Sequence, residues 1–261
     1  GLGVMYLNKG SLDKAADALT KSLQISADNN PQAYLNLGNV YHRRGDLEGG
    51  AAQYAKAIQV DPGYVEAHYN LGVTLVERGR IQEAVAEFSR TIALDPRHKE
   101  AHYNLGKAFS DLNRIDAAIA HYDAALRIDP GFAPAQRNLA TEMSRKAKIE
   151  SAVRQLEKTL EGKPGNPEVL GRLAVYYALL GQNGKAESAL KEAVKGRPSP
   201  EAYYNLACIY AKENRVDESV ESLRKAVSLG FKNWRLLKTD QDLENIRSTG
   251  YYESLISGPG L

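Results

Sequence analysis

Prolines stand at positions 62, 96, 130, 164 and 198, each 34 residues after the last. A fixed spacing of that size marks internal repetition, and repetition restricts the fold more than any single motif does. Other columns keep the same step. A Leu followed by a small residue recurs at Leu37-Gly38, Leu71-Gly72, Leu105-Gly106, Leu139-Ala140, Leu173-Ala174 and Leu206-Ala207. Four residues after each Leu comes a bulky side chain: Tyr41, Leu75, Phe109, Met143, Tyr177 and Tyr210. Then come Gly45, Gly79, Asn113, Ala147, Gly181 and Asn214, in the place of a turn. A second set runs Ala84, Ala118, Ala152, Ala186 and Phe88, Tyr122, Leu156, Leu190. The interval from Leu173 to Leu206 is one residue short.

Each unit reads as two helices. Ala67, His68, Leu71 and Leu75 fall on one helical stripe, and Ala84, Phe88 and Ile92 on another. Gly79 supplies the left-handed residue that ends the first helix, and Asn113 does so less comfortably. Asp-Pro at 61–62, 95–96 and 129–130 stops the second. One hairpin cannot bury its own apolar face, so the units must stack into an all-α solenoid. After Ala226 the pattern stops, but "NWRLLKTDQDLENIRSTGYYESLIS" keeps apolar stripes: Trp234 with Leu237, Leu243 with Ile246, Tyr252 with Leu255 and Ile256. These are read as helices that cover the edge of the last unit, followed by a frayed "GPGL".

The ordered columns Leu-Gly, Tyr, Gly, Ala, Phe/Tyr, Ala and Pro, as in "AYLNLGNVYHRRGDLEGGAAQYAKAIQVDP" at 33–62, resemble the tetratricopeptide repeat family. The resemblance implies a right-handed superhelical solenoid of helix-turn-helix units. The array is expected over 1–232, with a partial repeat at 1–30 and full repeats at about 31–64, 65–98, 99–132, 133–166, 167–199 and 200–232. Capping helices and tail occupy 233–261. Departures from the pattern are Gly50, Thr91, Ala147 and Thr159; the fifth unit, with Pro134, Met143 and Gly162, is the most degenerate. Repeats of similar length that read RNA fit less well, because the period differs and because the acidic column Glu66, Glu100, Glu168 and Glu201 suits a phosphate backbone poorly.

One column asks for a use. The residue before each Leu is Asn36, Asn70, Asn104, Asn138, Arg172 and Asn205. Asn costs several tenths of a kcal/mol in a helix relative to Ala. On a helical wheel this column lies away from the hairpin core. The family resemblance places that side on the concave groove. Each amide offers a donor and an acceptor, repeated at the roughly 8–10 Å spacing of packed helices, so the column could pin the backbone of an extended peptide about every third residue. The other reading is that each amide simply bonds to the backbone of the next repeat. Residues three further on, Asn39, Val73, Lys107, Thr141, Val175 and Cys208, vary freely. Tyr69 and Tyr103, with Val73 and Val76, give an apolar aromatic stretch. Lys107, Arg137, Arg145 and Arg172 give a basic one, so the expected ligand carries hydrophobic anchors and acidic groups. A carboxylate clamp of the kind some family members use is only partly matched by Lys107, Asn138 and Arg172, because Tyr103 and Glu168 hold two of its places.

Composition narrows the alternatives. Lys and Arg total 34 and Asp and Glu 32, a formal charge of +2 that gives no reason to expect nucleic acid or an anionic membrane as main partner. The single Cys208 allows no intrachain disulfide. There is no apolar run of about 18 residues to span a bilayer. His68 and His102 share one repeat position and are read as packing residues; His42, His98 and His121 lack ligand partners at metal spacing. No phosphate loop or nucleophile motif occurs. The expectation is a protein-interaction scaffold, without catalysis, cofactor or metal, that holds a partner's extended segment at about micromolar affinity. Two alternatives stand beside it. One is the substrate-recognition arm of a larger enzyme, such as a glycosyltransferase, suggested by the opening "GLGVMYL" reading as mid-helix. The other is self-assembly through repeat edges. The compartment is cytoplasmic by default; periplasmic or membrane-tethered placement stays open.

Overall fold

In a computed structural model, residues 2–25 and 29–257 are described, and the predicted "GPGL" tail lies outside them. Contacts divide the chain into two units, residues 1–143 and 144–261. Among the described residues there is no strand.

The first unit is built of helical hairpins: α1 (Leu2–Asn8) with α2 (Leu12–Ile25), α3 (Pro31–Arg43) with α4 (Leu47–Val60), α5 (Val65–Glu77) with α6 (Ile81–Leu94), and α7 (Lys99–Asp111) with α8 (Ile115–Ile128). The second holds α10 (Pro167–Leu179) with α11 (Asn183–Gly196), and α12 (Pro200–Lys212) with α13 (Val216–Ser228). It ends in α14 (Trp234–Thr239), a 3-10 helix (Gln241–Ile246) and α15 (Gly250–Ser257).

Local chemistry sets the hairpin turns. Gly45, Gly79 and Gly181 have φ of 80°, 73° and 68°, and Asn113 and Asn214 adopt 56° and 58°. Each lets the next amide reach back to the bulky residue of the column, as Arg80 N–H does to the Leu75 carbonyl at 2.8 Å and Arg114 N–H to Phe109 at 2.8 Å. The Asp-Pro stops work differently. Asp61, Asp95 and Asp129 are extended. Each carboxylate accepts from the amide two residues on, at 2.9, 3.0 and 3.0 Å, so a side chain holds the turn while Pro bars further helix.

The small-residue column is explained by what it touches. A Cβ on Gly38 would lie 2.5 Å from the Tyr54 ring, on Gly72 2.7 Å from Phe88, and on Gly106 2.7 Å from Tyr122. In each case glycine lets an aromatic ring from the second helix lie against the backbone of the first. The later hairpins carry Ala174 and Ala207, and the residue 16 further on is then Leu190 or Leu223. Backbone-plus-ring is exchanged for methyl-plus-isobutyl at similar volume. Phe88, Tyr122, Leu190 and Leu223 are fully buried. Each contributes about 2–3 kcal/mol through its burial.

The predicted hairpin at 133–166 is replaced by one helix, α9 (Ala133–Gly162), of 30 residues. The reason is local. Where other units have Gly or Asn, this one has Ala147, which resists positive φ, within "TEMSRKAKIESA", a run of good helix formers with no breaker. Nothing in the chain stops the helix before Gly162 and Pro164.

At the C-terminal edge, Leu237, Leu243 and Ile246 are fully buried and Tyr252 nearly so. They pack on Tyr204, Ala207, Ala211, Leu223 and Ala226, with Trp234 partly buried beside them. The Tyr204 hydroxyl donates to Asp240, the Cys208 thiol lies 3.7 Å from the same oxygen, and Lys212 pairs with Asp242 at 2.7 Å. Burial, then the charges of Asp240 and Asp242, push the Cys208 thiol well above its ordinary pKa, so it stays protonated. These polar atoms tie the terminal helices to α12.

Candidate functional site

The first helices of successive hairpins, α3, α5 and α7, lie side by side. The asparagine column runs across them and reaches α9 at Asn138. Each rung bonds to the hairpin before it. Asn70 Nδ2 donates to Asn39 Oδ1 at 3.2 Å, and that oxygen also accepts from the Tyr54 hydroxyl at 2.8 Å. Asn104 Nδ2 donates to the Tyr69 hydroxyl oxygen at 3.1 Å. Asn138 Nδ2 reaches the Tyr103 and Tyr122 oxygens at 3.4 and 3.5 Å. The amide nitrogens are thus engaged within the array, but with side chains of the preceding hairpin and not with the backbone of the next repeat. The three Oδ1 atoms accept no protein hydrogen bond among the described residues.

The tyrosines that receive these bonds are fixed by stacking. Tyr69 lies 4.7 Å from the His98 ring and 6.0 Å from Phe88, centroid to centroid. Tyr103 sits edge-on to Phe132 at 5.3 Å, with Lys107 Nζ 5.8 Å from its ring centre. Burial and then Glu100 raise the Tyr69 pKa, while the bond from Asn104 opposes the shift; burial pushes Tyr122 up to about 12. Both hydroxyls keep their protons at neutral pH. Lys107 and Asn138 share a cavity of about 190 Å³ with Ser110, Asp111, Tyr122, Thr141 and Glu142. Arg137 is exposed on the same helix as Asn138.

Two expectations change. Asn36 is buried, at 9% exposure, where α1 comes against α3. It lines a depression of about 640 Å³ with Tyr6, Lys14, Asn30 and Gln32. Arg145, Arg172 and Asn205 belong to the second unit. There Arg172 is exposed on α10 and Asn205 half-buried on α12.

The structure also pairs residues that the sequence reading left apart. His68 Nδ1 lies 2.7 Å from Glu87, and its Nε2 3.2 Å from the Pro62 carbonyl. One repeat later His102 Nδ1 lies 3.2 Å from His121 Nδ1, and its Nε2 3.2 Å from the Pro96 carbonyl. His121 stacks on Phe109. A step of 19 residues between a polar pair, repeated every 34, was the available clue.

Stacked hairpins whose two helices meet on a glycine-aromatic or alanine-leucine seam, each closed by a left-handed turn, define an α-helical repeat protein. Models of the tetratricopeptide repeat family match residues 69–131, 38–77, 146–207, and both 1–29 and 200–232. The chain belongs to the tetratricopeptide repeat family. A chloroplastic protein of Arabidopsis thaliana is 37% identical over 63 residues, a segment that covers 23% of this chain and 19% of that protein. A tetratricopeptide repeat protein from Parabacteroides merdae is similar in structure, with a TM-score of 0.53 at 19% identity over 94% of this chain and 95% of that one. MamA has a TM-score of 0.49 at 23% identity, covering 75% of this chain and 94% of its own.

Proposed function

We propose that the row formed by α3, α5, α7 and the start of α9 holds an extended segment of a partner protein, and that the chain acts as a non-catalytic interaction scaffold. The observation that carries this reading is the alignment of Asn70, Asn104 and Asn138. All three are half-buried, tied to their neighbours, and left with an unspent carbonyl oxygen. Tied side chains lose little further entropy when a ligand arrives, which favours binding. Tyr69, Tyr103, Val73 and Val76 offer apolar contact, and Lys107 and Arg137 favour acidic residues at the far end of the segment. In the second unit, Arg172 and Asn205 offer a surface suited to acidic ligand groups.

Peptide-display selection on the whole chain tests this. Selected peptides should bind the protein and lose binding to an Asn70→Ala, Asn104→Ala, Asn138→Ala variant of matched helicity. Peptides that bind both proteins equally would remove the row from consideration.

A further inference from the structure

The hydrogen bonds along the row repeat one pattern. At each of three junctions between neighbouring hairpins, the Asn side-chain amide donates to the preceding hairpin, through one N–H at Asn70 and Asn104 and through two longer contacts at Asn138. Its acceptor, Oδ1 of Asn70, Asn104 or Asn138, stays unused. The group that receives the amide bond keeps a donor of its own. Tyr69 and Tyr103 each retain a hydroxyl proton, because a phenol is a donor as well as an acceptor. Asn39 retains its Nδ2 protons, since its Oδ1 takes both the Tyr54 and the Asn70 bonds. None of these donors has a protein acceptor among the described residues, and all six side chains are half-buried.

We infer that Asn39/Asn70, Tyr69/Asn104 and Tyr103/Asn138 act as three donor–acceptor rungs, each reading the N–H and C=O of one residue of an extended polypeptide. The inference rests on the peptide-holding reading of this row and names its recognition chemistry. The two members of a rung are linked by bonds of 3.2, 3.1 and 3.4 Å, so donor and acceptor stand side by side. An extended residue presents its own N–H and C=O to one side in the same manner when it pairs with a neighbouring strand. Each rung therefore imitates one residue of such a strand. Helix packing sets the rungs about 8–10 Å apart, and a chain rising about 3.3 Å per residue meets one rung about every third residue.

The chemistry excludes as well as selects. A carboxylate has acceptors only, and it would set its charge against an Asn carbonyl oxygen. The stretch over the rungs is thus neutral backbone, and acidic groups of the ligand belong beyond it, beside Lys107 or Arg137. The tyrosine hydroxyls become specificity-determining groups, which an asparagine ladder by itself would not need.

The test uses a peptide selected on the whole chain, with Tyr69→Phe and Tyr103→Phe variants. Phenylalanine keeps the ring stacking and removes only the hydroxyl. Each substitution should weaken binding about 3- to 10-fold, with the melting temperature little changed. N-methylation of the ligand residue opposite a rung should weaken binding to the wild type by a similar factor, and should cost little further in the matching Asn104→Ala or Asn138→Ala variant. That coupling would not arise from a packing role. Full binding by both Phe variants, together with loss in the triple Ala variant, overturns the rungs and leaves the row as the site. A selection that yields no peptide, or only peptides indifferent to the triple Ala variant, overturns both.

Discussion

Gly72 lies against the ring of Phe88, and a single carbon added to it would stand 2.7 Å from the nearest ring atom. The same seam is filled by Ala174 and Leu190 two hairpins further on. Gly72→Ala is expected to cost about 1–3 kcal/mol through overpacking. Phe88→Leu alone leaves a cavity and costs about 1–2 kcal/mol. Together they recreate the later pairing, so the double variant should be more stable than the sum predicts by at least about 1 kcal/mol. Chemical denaturation of the four proteins measures this, and strict additivity would refute the compensation.

The sign of a glycine substitution tests the continuity of α9. Ala147 is exposed in the helix interior, so Ala147→Gly should destabilise the protein by about 1 kcal/mol. Were position 147 a hairpin turn, the same change would stabilise it by relieving positive φ. Gly79→Ala is the control: with φ at 73° it should cost about 1–2 kcal/mol.

Acid should act on the first unit through His102 and His121. Burial lowers the pKa of both, with Arg127 and His98 adding to the effect on His102 against the bond to Pro96, and with His102 adding to the effect on His121. Depressed folded-state values mean that the unfolded chain binds more protons, so stability is unaffected above the ordinary histidine value of 6.5 and falls as pH drops below it. Melting temperatures between pH 8 and pH 5 should show this slope. His121→Gln, which copies Gln155 one repeat on, should flatten it; an unchanged slope would place the titration elsewhere.

The second unit should respond at lower pH. Glu187 accepts from Arg215 at 2.9 Å, from Lys191 at 2.6 Å and from Tyr210 at 3.1 Å. The Arg215 bonds lead in lowering its pKa to about 2, against the cost of burial. Its contribution is complete above the ordinary carboxylate value of 4.5 and fades as pH falls toward 2. Glu187→Gln should remove that part of the acid transition at low salt. Identical acid profiles for the two proteins would deny Glu187 the role.

Much of this was legible in the residues. Columns at a fixed step gave the hairpins, and Gly or Asn in the turn column anticipated the left-handed residues, down to Asn113. The seam could have been read too, since Gly38, Gly72 and Gly106 face an aromatic 16 residues on while Ala174 and Ala207 have a leucine there. Residue 147 misled because the repeat was trusted over local propensity, and propensity prevailed where no breaker stood in the way. The rungs were hidden for another reason. Helical wheels tell which way Asn104 points, but only packing between hairpins brings it to Tyr69, 35 positions earlier. The burial of Asn36 likewise depends on how closely α1 approaches, which no column records.

A family built by duplication changes length by copying or losing whole hairpins, and each such event needs a seam at which the chain can be cut and rejoined without altering its neighbours. The turns at Gly45, Gly79, Asn113, Gly181 and Asn214 are seams of that kind. Residues 133–162 contain none. A deletion or insertion there would rotate every later side chain about the helix axis by about 100° per residue, so only changes near a whole number of turns could survive. Copy number can therefore drift on either side of α9, while α9 itself is inherited as one indivisible piece.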